Sequence, residues 1–301
     1  MTLRHITFER QAMKKTRLYL SLLCLYSTIA SAADGRAIMR RVFDRDDGAT
    51  EVSRIKLSTC LIARKGQSLV CRSAPRVKVM DMVRKDYGPN EKDHRTVTVI
   101  IDPPGEKGIS FLQYDYEQRD RETDQWLYLS ALRKVKRIVS GNENEPKSGS
   151  FFGSELSYED MEKRHLDDYT YTVLGQERYA DRPCWVIETT PTKERAGKSN
   201  YAKSLDWIDQ ERYLVLKSVL FDRKGKKAKR IYFGKITRIQ DILVPMRIVI
   251  LNIKTARRTV MTVERTALNV AVEDGFLTQR TLTDGAFRES RLREYQQTFD
   301  D

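Results

Sequence analysis

The chain has 301 residues, 40% of them hydrophobic and 9% aromatic, with a formal net charge of +13. That apolar content can build a core, which excludes a disordered chain, and the length fits one large domain or two small ones. The excess of Lys and Arg favours an anionic partner: lipid headgroups, a membrane surface or an acidic protein.

At the N-terminus, Lys14, Lys15 and Arg17 precede a twelve-residue apolar run, Leu18 to Ile29, then Ala30, Ser31, Ala32 and Ala33. The run is short for a bilayer span, and the small residues suit signal peptidase. The pattern predicts a secretory signal peptide over residues 1–33, cleaved after Ala32 or Ala33, with an uncleaved anchor as the competing reading. Met13 heads a more typical signal than Met1, so both starts stand. Cys24 lacks the leucine-then-small-residue context of a lipidation site. Export implies a periplasmic protein and removes nucleic acid as a partner. Losing residues 1–33 takes away five basic residues and one acid, so the charge falls by four to +9.

Ile38, Met39, Val42 and Phe43 recur at helical spacing, so a short amphipathic helix is expected, ended by Asp44 to Gly48. That acidic turn lacks the closing Glu of a calcium loop. From Val52 onward the pattern is strand and turn. Ile55–Ala63 and Leu69–Val83 read as a hairpin centred on Lys65-Gly66, which sets Cys60 opposite Cys71. An oxidising compartment permits a disulfide there, but the pair falls at a hydrogen-bonded position, where the geometry is less comfortable, and the pairing stays open. Cys184 reads as a buried small hydrophobe.

Thr96–Ile101 is a β-branched strand stopped by Pro103-Pro104, and Ile109–Glu117 is the next. There Phe111 points to one face, and Leu112, Tyr114 and Tyr116 to the other. In Gln125–Leu129, Trp126 and Tyr128 share one face, and Leu127 and Leu129 the other. Both faces are apolar, as in a strand covered on both sides. Ser140–Ser150 is a polar loop suited to gating a hollow or to plain connection. Ser157 to Asp160 reads as a capped helical turn. Asp168–Glu177, Cys184–Thr189, Tyr201–Asp209, Tyr213–Phe221, Lys229–Arg238, Val244–Ile253 and Thr259–Val263 continue as antiparallel strands, with Pro191–Lys198 as a charged linker. Basic clusters stand at Arg133–Arg137 and Lys224–Arg230. No βαβ alternation is present. The reading is mainly β: an incomplete antiparallel barrel or strongly curved sheet of about 10–11 strands covered by short helices, spanning 34–286, then 287–301 as a charged tail or peripheral helix.

Catalytic and metal signatures are missing from the sequence. His94 and His165 have no ligand spacing, and phosphate-loop, dinucleotide and nucleophile-elbow patterns do not occur. Asp115, Asp120 and Asp124 form the one carboxylate group worth weighing for acid–base work, and a solvated loop explains them as well. The positive signal is aromatic: Phe111, Tyr114, Tyr116, Trp126, Tyr128, Phe151, Phe152 and Trp207 as the lining of a hydrophobic cavity, with ordinary core as the competing reading.

The runs Lys107–Glu117 and Asp124–Ile138 resemble LolA-like outer-membrane lipoprotein-sorting proteins, in particular an exporter-associated uncharacterised branch. Phe151–Asp160, Asp206–Asp209 and Phe221–Gly225 are similar to the same branch, and the likeness covers nearly all of the chain after residue 33. Ser130, where proline is common, and the Cys60/Cys71 pair depart from it. The resemblance implies a curved sheet around a hydrophobic cavity, no enzymatic activity and no cofactor. It further implies a periplasmic carrier of a lipid, a lipoprotein acyl chain or another hydrophobic ligand. The alternative it leaves is an adaptor or sensor partnering an inner-membrane exporter of the resistance-nodulation-division type; a periplasmic hydrolase ranks last.

Overall fold

The computed structural model describes residues 34–142 and 145–299. The signal-peptide reading of residues 1–33 lies outside them. Helix α1 (Gly35–Phe43) is capped by Asp34, which accepts from the Arg36 N–H, and it buries Ile38 and Met39, as their spacing predicts. The strands are β1 (Thr50–Lys65), β2 (Ser68–Cys71), β3 (Arg76–Tyr87), β4 (Asp93–Asp102), β5 (Ser110–Asp115), β6 (Asp124–Leu129) and β7 (Lys134–Ile138). They continue as β8 (Tyr169–Tyr179), β9 (Arg182–Pro191), β10 (Tyr201–Asp209), β11 (Val215–Asp222), β12 (Lys227–Ile239), β13 (Ile242–Asn252) and β14 (Arg257–Leu268). Helices α2 (Lys193–Lys198), α3 (Gln279–Thr283) and α4 (Gly285–Gln297) are short.

All pairings are antiparallel, in the order β7-β6-β5-β4-β3-β1-β14-β13-β12-β11-β10-β9-β8, with β2 paired to β1 off this path. The result is one open, curved sheet with β7 and β8 at its edges, not a closed barrel. Its 14 strands exceed the expected number for identifiable reasons. The run Leu69–Val83 divides at Ser73-Ala74-Pro75 into β2 and β3, since Pro75 has no N–H for a ladder. The basic cluster Arg133–Arg137 largely forms edge strand β7, where exposed charge is tolerated.

Strand alternation gives the sheet two apolar faces. One carries Ile55, Leu57, Met80, Ile100, Phe111 and Ile250. The reverse face carries Val52, Val83, Val97, Val99, Leu112 and Tyr128, covered by Leu282, Leu292 and Tyr295 of α3 and α4. Residues 285–297 are therefore part of the domain, because α4 buries Leu292 and Tyr295 there instead of trailing as a tail. The charged linker likewise contains α2, capped by Thr192.

One segment shows which face is hollow. Asp160 pairs with Lys229 of β12, while the carbonyl of Met161 accepts from Gln113 of β5 at 2.7 Å. Those strands lie six steps apart in the sheet. Laid flat, that is roughly 29 Å at the usual strand spacing. Two adjacent residues bridge it, so the sheet rolls around them and the Phe111 face is concave. Helix α1 covers the same face near β8, with Ile38 and Met39 against Ile187 and Ile208.

Cys60 and Cys71 are bonded, with Cα atoms 5.7 Å apart. The hairpin register differs from the expected one. Lys65 pairs with Ser68 and Ile62 with Cys71, so the turn is Gly66-Gln67. Gly66 takes a φ of 60°, which the tight turn needs. The cysteines then sit diagonally, and the objection from a directly opposed, hydrogen-bonded pair does not apply. Cys184 is buried and free. Unfolded without reductant, the chain from Asp34 onward should take up one alkylating group, at Cys184, and three after reduction; mass spectrometry finding three without reduction would remove the crosslink.

Candidate functional site

The concave face is occupied by the chain itself. Residues 150–163 cross it as short helical turns, burying Phe151, Phe152, Leu156 and Tyr158 against the sheet. Phe111 is the anchor. Its ring meets Phe151 edge-on at 5.4 Å, Phe152 at 6.4 Å, and stacks on Tyr158 at 5.7 Å. Each such pair adds about 0.5–1.5 kcal/mol beyond area burial. Phe152 holds a φ of 48°, a left-handed conformation that costs a bulky residue roughly 1–2 kcal/mol and persists because its ring is buried.

Polar groups fix the same segment along its length. Lys78 donates to the carbonyl of Phe152 at 2.8 Å. Gln125 donates to the carbonyl of Tyr158 at 3.1 Å, and its own Oε1 is buried without a partner among the described residues. Glu155 pairs with Arg257 at 2.6 Å and accepts from Asn252 at 2.6 Å. Glu159 accepts from Ser199 and from the backbone and side chain of Asn200 at 2.6–2.7 Å. Asp160 pairs with Lys229 at 2.5 Å and accepts from the Tyr201 hydroxyl at 2.8 Å. Its carboxylate also accepts from the Ser157 N–H at 2.7 Å, while the Ser157 hydroxyl accepts from the Asp160 N–H, the reciprocal cap that the sequence suggests.

Asp160 and Lys229 are only 4% and 11% exposed. Burial alone raises the Asp160 pKa, but the Lys229 ammonium and the Ser157 bonds outweigh it and hold the carboxyl below its usual range. Burial first, then Asp160, pushes the Tyr201 hydroxyl well up, so it stays a donor.

The eight aromatic candidates do not line one cavity. Phe111, Phe151 and Phe152 meet on the concave face. Tyr114, Trp126 and Tyr128 lie on the reverse face under the C-terminal helices, Tyr114 and Trp126 edge-on at 5.1 Å. Trp207 is also on the reverse face, in a separate cluster, with Lys217 3.5 Å over its ring. Tyr116 follows β5, donates to Asp124 and lies under Arg121, and its hydroxyl is pushed up to about 12 by burial and then by Asp124. Period-2 alternation separated the faces within each strand; it could not say which face curls inward.

A cavity of about 490 Å³ does open beside the segment, but its walls are charged, with Arg119, Lys147, Glu162, Arg164, Asp168 and Arg195 among them. Most of these are already paired: Arg119 with Asp168, Lys147 with Glu162, Arg195 with Glu159 and Glu162. The three acids weighed for catalysis are not gathered. Asp115 accepts from Gln113, Thr123 and the Lys163 N–H, Asp124 binds Tyr116 and Arg137, and Asp120 lines the charged cavity. His94 is largely buried beside Asp86, with its Nδ1 2.6 Å from the carboxylate.

The curved, open antiparallel sheet is a fold shared with solved lipoprotein-sorting and LolA superfamily structures. The chain belongs to a family whose model, described as an uncharacterized protein, matches residues 92–284. Among solved structures it is similar to a DUF1329 family protein from Desulfovibrio piger, at 23% identity and a TM-score of 0.71, over 83% of this chain and 100% of that one. A domain from Vibrio parahaemolyticus, named for outer membrane lipoprotein sorting, gives 24% and 0.70 over 83% and 98%. A LolA superfamily protein from Nitrosomonas europaea gives 17% and 0.58 over 82% and 98%. No curated protein matches the chain by sequence.

Removing one partner of a buried ion pair strands the other. Asp160→Asn should cost about 3–5 kcal/mol in urea unfolding. A carboxyl whose folded pKa is depressed stabilises above its unfolded value, about 3.9, and that stability is lost as pH falls through the folded value. The gap between wild type and Asp160→Asn should therefore close on acidification; a gap constant with pH would exclude the ion pair.

Proposed function

We propose that the protein is a periplasmic, non-enzymatic carrier of a lipid or lipoprotein acyl chain, held on the concave face in place of residues 150–163. The observation that carries this is the occupant of that face. It is an aromatic segment with one strained residue and an unsatisfied buried amide beside it, fixed by side-chain pairs and not by strand pairing. Such a segment can leave without breaking the sheet. Fully burying a Phe-sized side chain contributes about 1.5–3 kcal/mol, and each methylene of an acyl chain about 0.8 kcal/mol. Roughly six to eleven methylenes therefore match Phe151, Phe152 and Tyr158 together, within the length of an acyl chain, so exchange can balance on the apolar side.

A second reading is favoured by the same occupancy. If the segment never leaves, the filled face makes the protein an adaptor or sensor that partners an inner-membrane exporter through its basic surface.

A fluorescent palmitate analogue distinguishes the two. Wild type is expected to bind it, and Asp160→Asn, which loosens the segment, to bind it more tightly. Trp126→Ala and Trp207→Ala act on the reverse face, so they should leave binding unchanged, with Trp126→Ala costing about 3 kcal/mol of stability. Wild type and Asp160→Asn both folded and both failing to bind would sink the carrier and leave the adaptor.

A further inference from the structure

The β1–β2 hairpin stands apart from the rest of the sheet. Pairing of β1 with β3 ends at Thr59/Arg76 and with β14 at Leu61/Arg257. Residues 62–65 run on with only β2 as a strand partner, roughly 13 Å of extra strand. The Ile62 N–H bonds to the carbonyl of Ala256, which ties the base to the turn between β13 and β14. Arg258 donates to the carbonyl of Leu69 and approaches the Cys71 sulfur, and the Cys60–Cys71 bond crosses the same base.

This tip exposes aliphatic side chains on both of its faces. Leu61 is 47% exposed, Leu69 41%, Val70 37%, and the neighbouring Ile253 43%. Val70 lies opposite Ala63 on one face, and Leu69 opposite Arg64 on the other. The other large hydrophobics exposed among the described residues, Leu132, Val139 and Leu174, are in other parts of the chain. The charge is one-sided as well. Positions 52–80 hold seven Lys and Arg and no Asp or Glu. Arg54 is paired with Asp81, and Lys78 with Glu106. Arg76 reaches Glu106 only at 3.9 Å. Arg64, Lys65 and Arg72 form no ion pair among the described residues, and all three are exposed.

We propose that this hairpin docks the protein on a membrane surface that carries anionic lipid. Three observations select a bilayer over a protein groove. The exposed aliphatics face both ways, whereas a groove would bury one side. Their basic neighbours are long, unpaired and unconstrained, which suits a diffuse layer of phosphates more than a fixed acidic site. The aliphatic tip with a basic fringe is also the composition that places apolar groups at the acyl boundary and cations among headgroups. The proposal does not depend on the concave face holding a ligand, and vesicle binding is measured apart from fatty-acid binding.

Vesicle flotation tests it, using the protein as recovered after export. Differences between wild type and variants cancel whatever residues 1–33 contribute. Wild type should float with phosphatidylcholine vesicles containing phosphatidylglycerol and not with phosphatidylcholine alone, and less of it should float as salt rises. The triple variant Arg64→Gln, Lys65→Gln, Arg72→Gln should bind at least about tenfold more weakly. Leu61→Ser with Leu69→Ser and Val70→Ser should leave only an association that salt abolishes. Melting curves that match wild type keep these losses from being read as misfolding, and the single turn variant Lys65→Glu gives a mild second check. Equal flotation on neutral and anionic vesicles, or unchanged binding by either triple variant, would overturn the proposal. Failure to float together with salt-sensitive binding to an acidic polypeptide would replace the membrane with a protein partner.

Discussion

The buried pair of Asp160 and Lys229 is the constraint on which the concave side depends. Taking two charges out of water costs several kcal/mol per ion, so neither is tolerated there alone. Lys229 projects inward from a strand that begins in an exposed basic run, and its charge needs the carboxylate that residues 150–163 bring. That carboxylate in turn is placed by the Ser157 cap and the Tyr201 hydroxyl. Because β5 and β12 both reach this short segment, the pair also fixes how tightly the sheet is rolled. Curvature and occupant therefore specify each other.

Two kinds of force hold the occupant, and they do different jobs. The aromatic contacts around Phe111 are large but undirected, and any apolar object of similar volume can replace them. The polar contacts of Glu155, Glu159 and Asp160 are directional and leave costly orphans when broken. Under the proposed carrier role, an exchange with an acyl chain balanced on the apolar side would thus be decided by the polar side. The charged cavity beside the segment belongs to this part of the molecule, since Glu159, Glu162 and Arg195 line it and Glu159 also grips Ser199 and Asn200.

Much of the architecture was legible in the chain. Alternation separated the faces within each strand as they are found, Phe111 from Leu112 and Tyr114 in β5 and Leu127 from Trp126 and Tyr128 in β6; the pairing register then joins Phe111 with Leu127. Helix α1, the Asp102-Pro103-Pro104 stop and the antiparallel class followed from local rules. The site was less legible, because curvature is a property of the whole sheet. Trp126 and Trp207 looked like cavity residues because they are aromatic and on strands, yet they fall on the reverse face. Lys229 looked like surface because its neighbours are basic, and nothing local shows that one of seven consecutive positions turns inward to meet an acid sixty-nine residues earlier. The hairpin register was missed by a single-residue move of the turn, from Lys65-Gly66 to Gly66-Gln67, which shifts every pairing by two.

Strand β1 joins the two proposals. Its odd positions run along the concave face from Ile55 and Leu57 through Thr59 to Leu61 and Ala63, so the apolar interior continues in line to the exposed tip. One polar belt interrupts it. Thr59 and Thr259 bond hydroxyl to hydroxyl at 2.9 Å, the Glu155 N–H donates to Thr259, and the Glu155 carboxylate holds Arg257. Glu155 is part of the occupant, so withdrawal of residues 150–163 would open the belt as it clears the hollow. A chain entering from a membrane at the tip would then meet aliphatic side chains along the whole of one strand, with a single step past two threonines. Under the two proposals together, docking would favour exchange, since contacts made by the tip would act on a strand whose next inward residues touch residues 150–163.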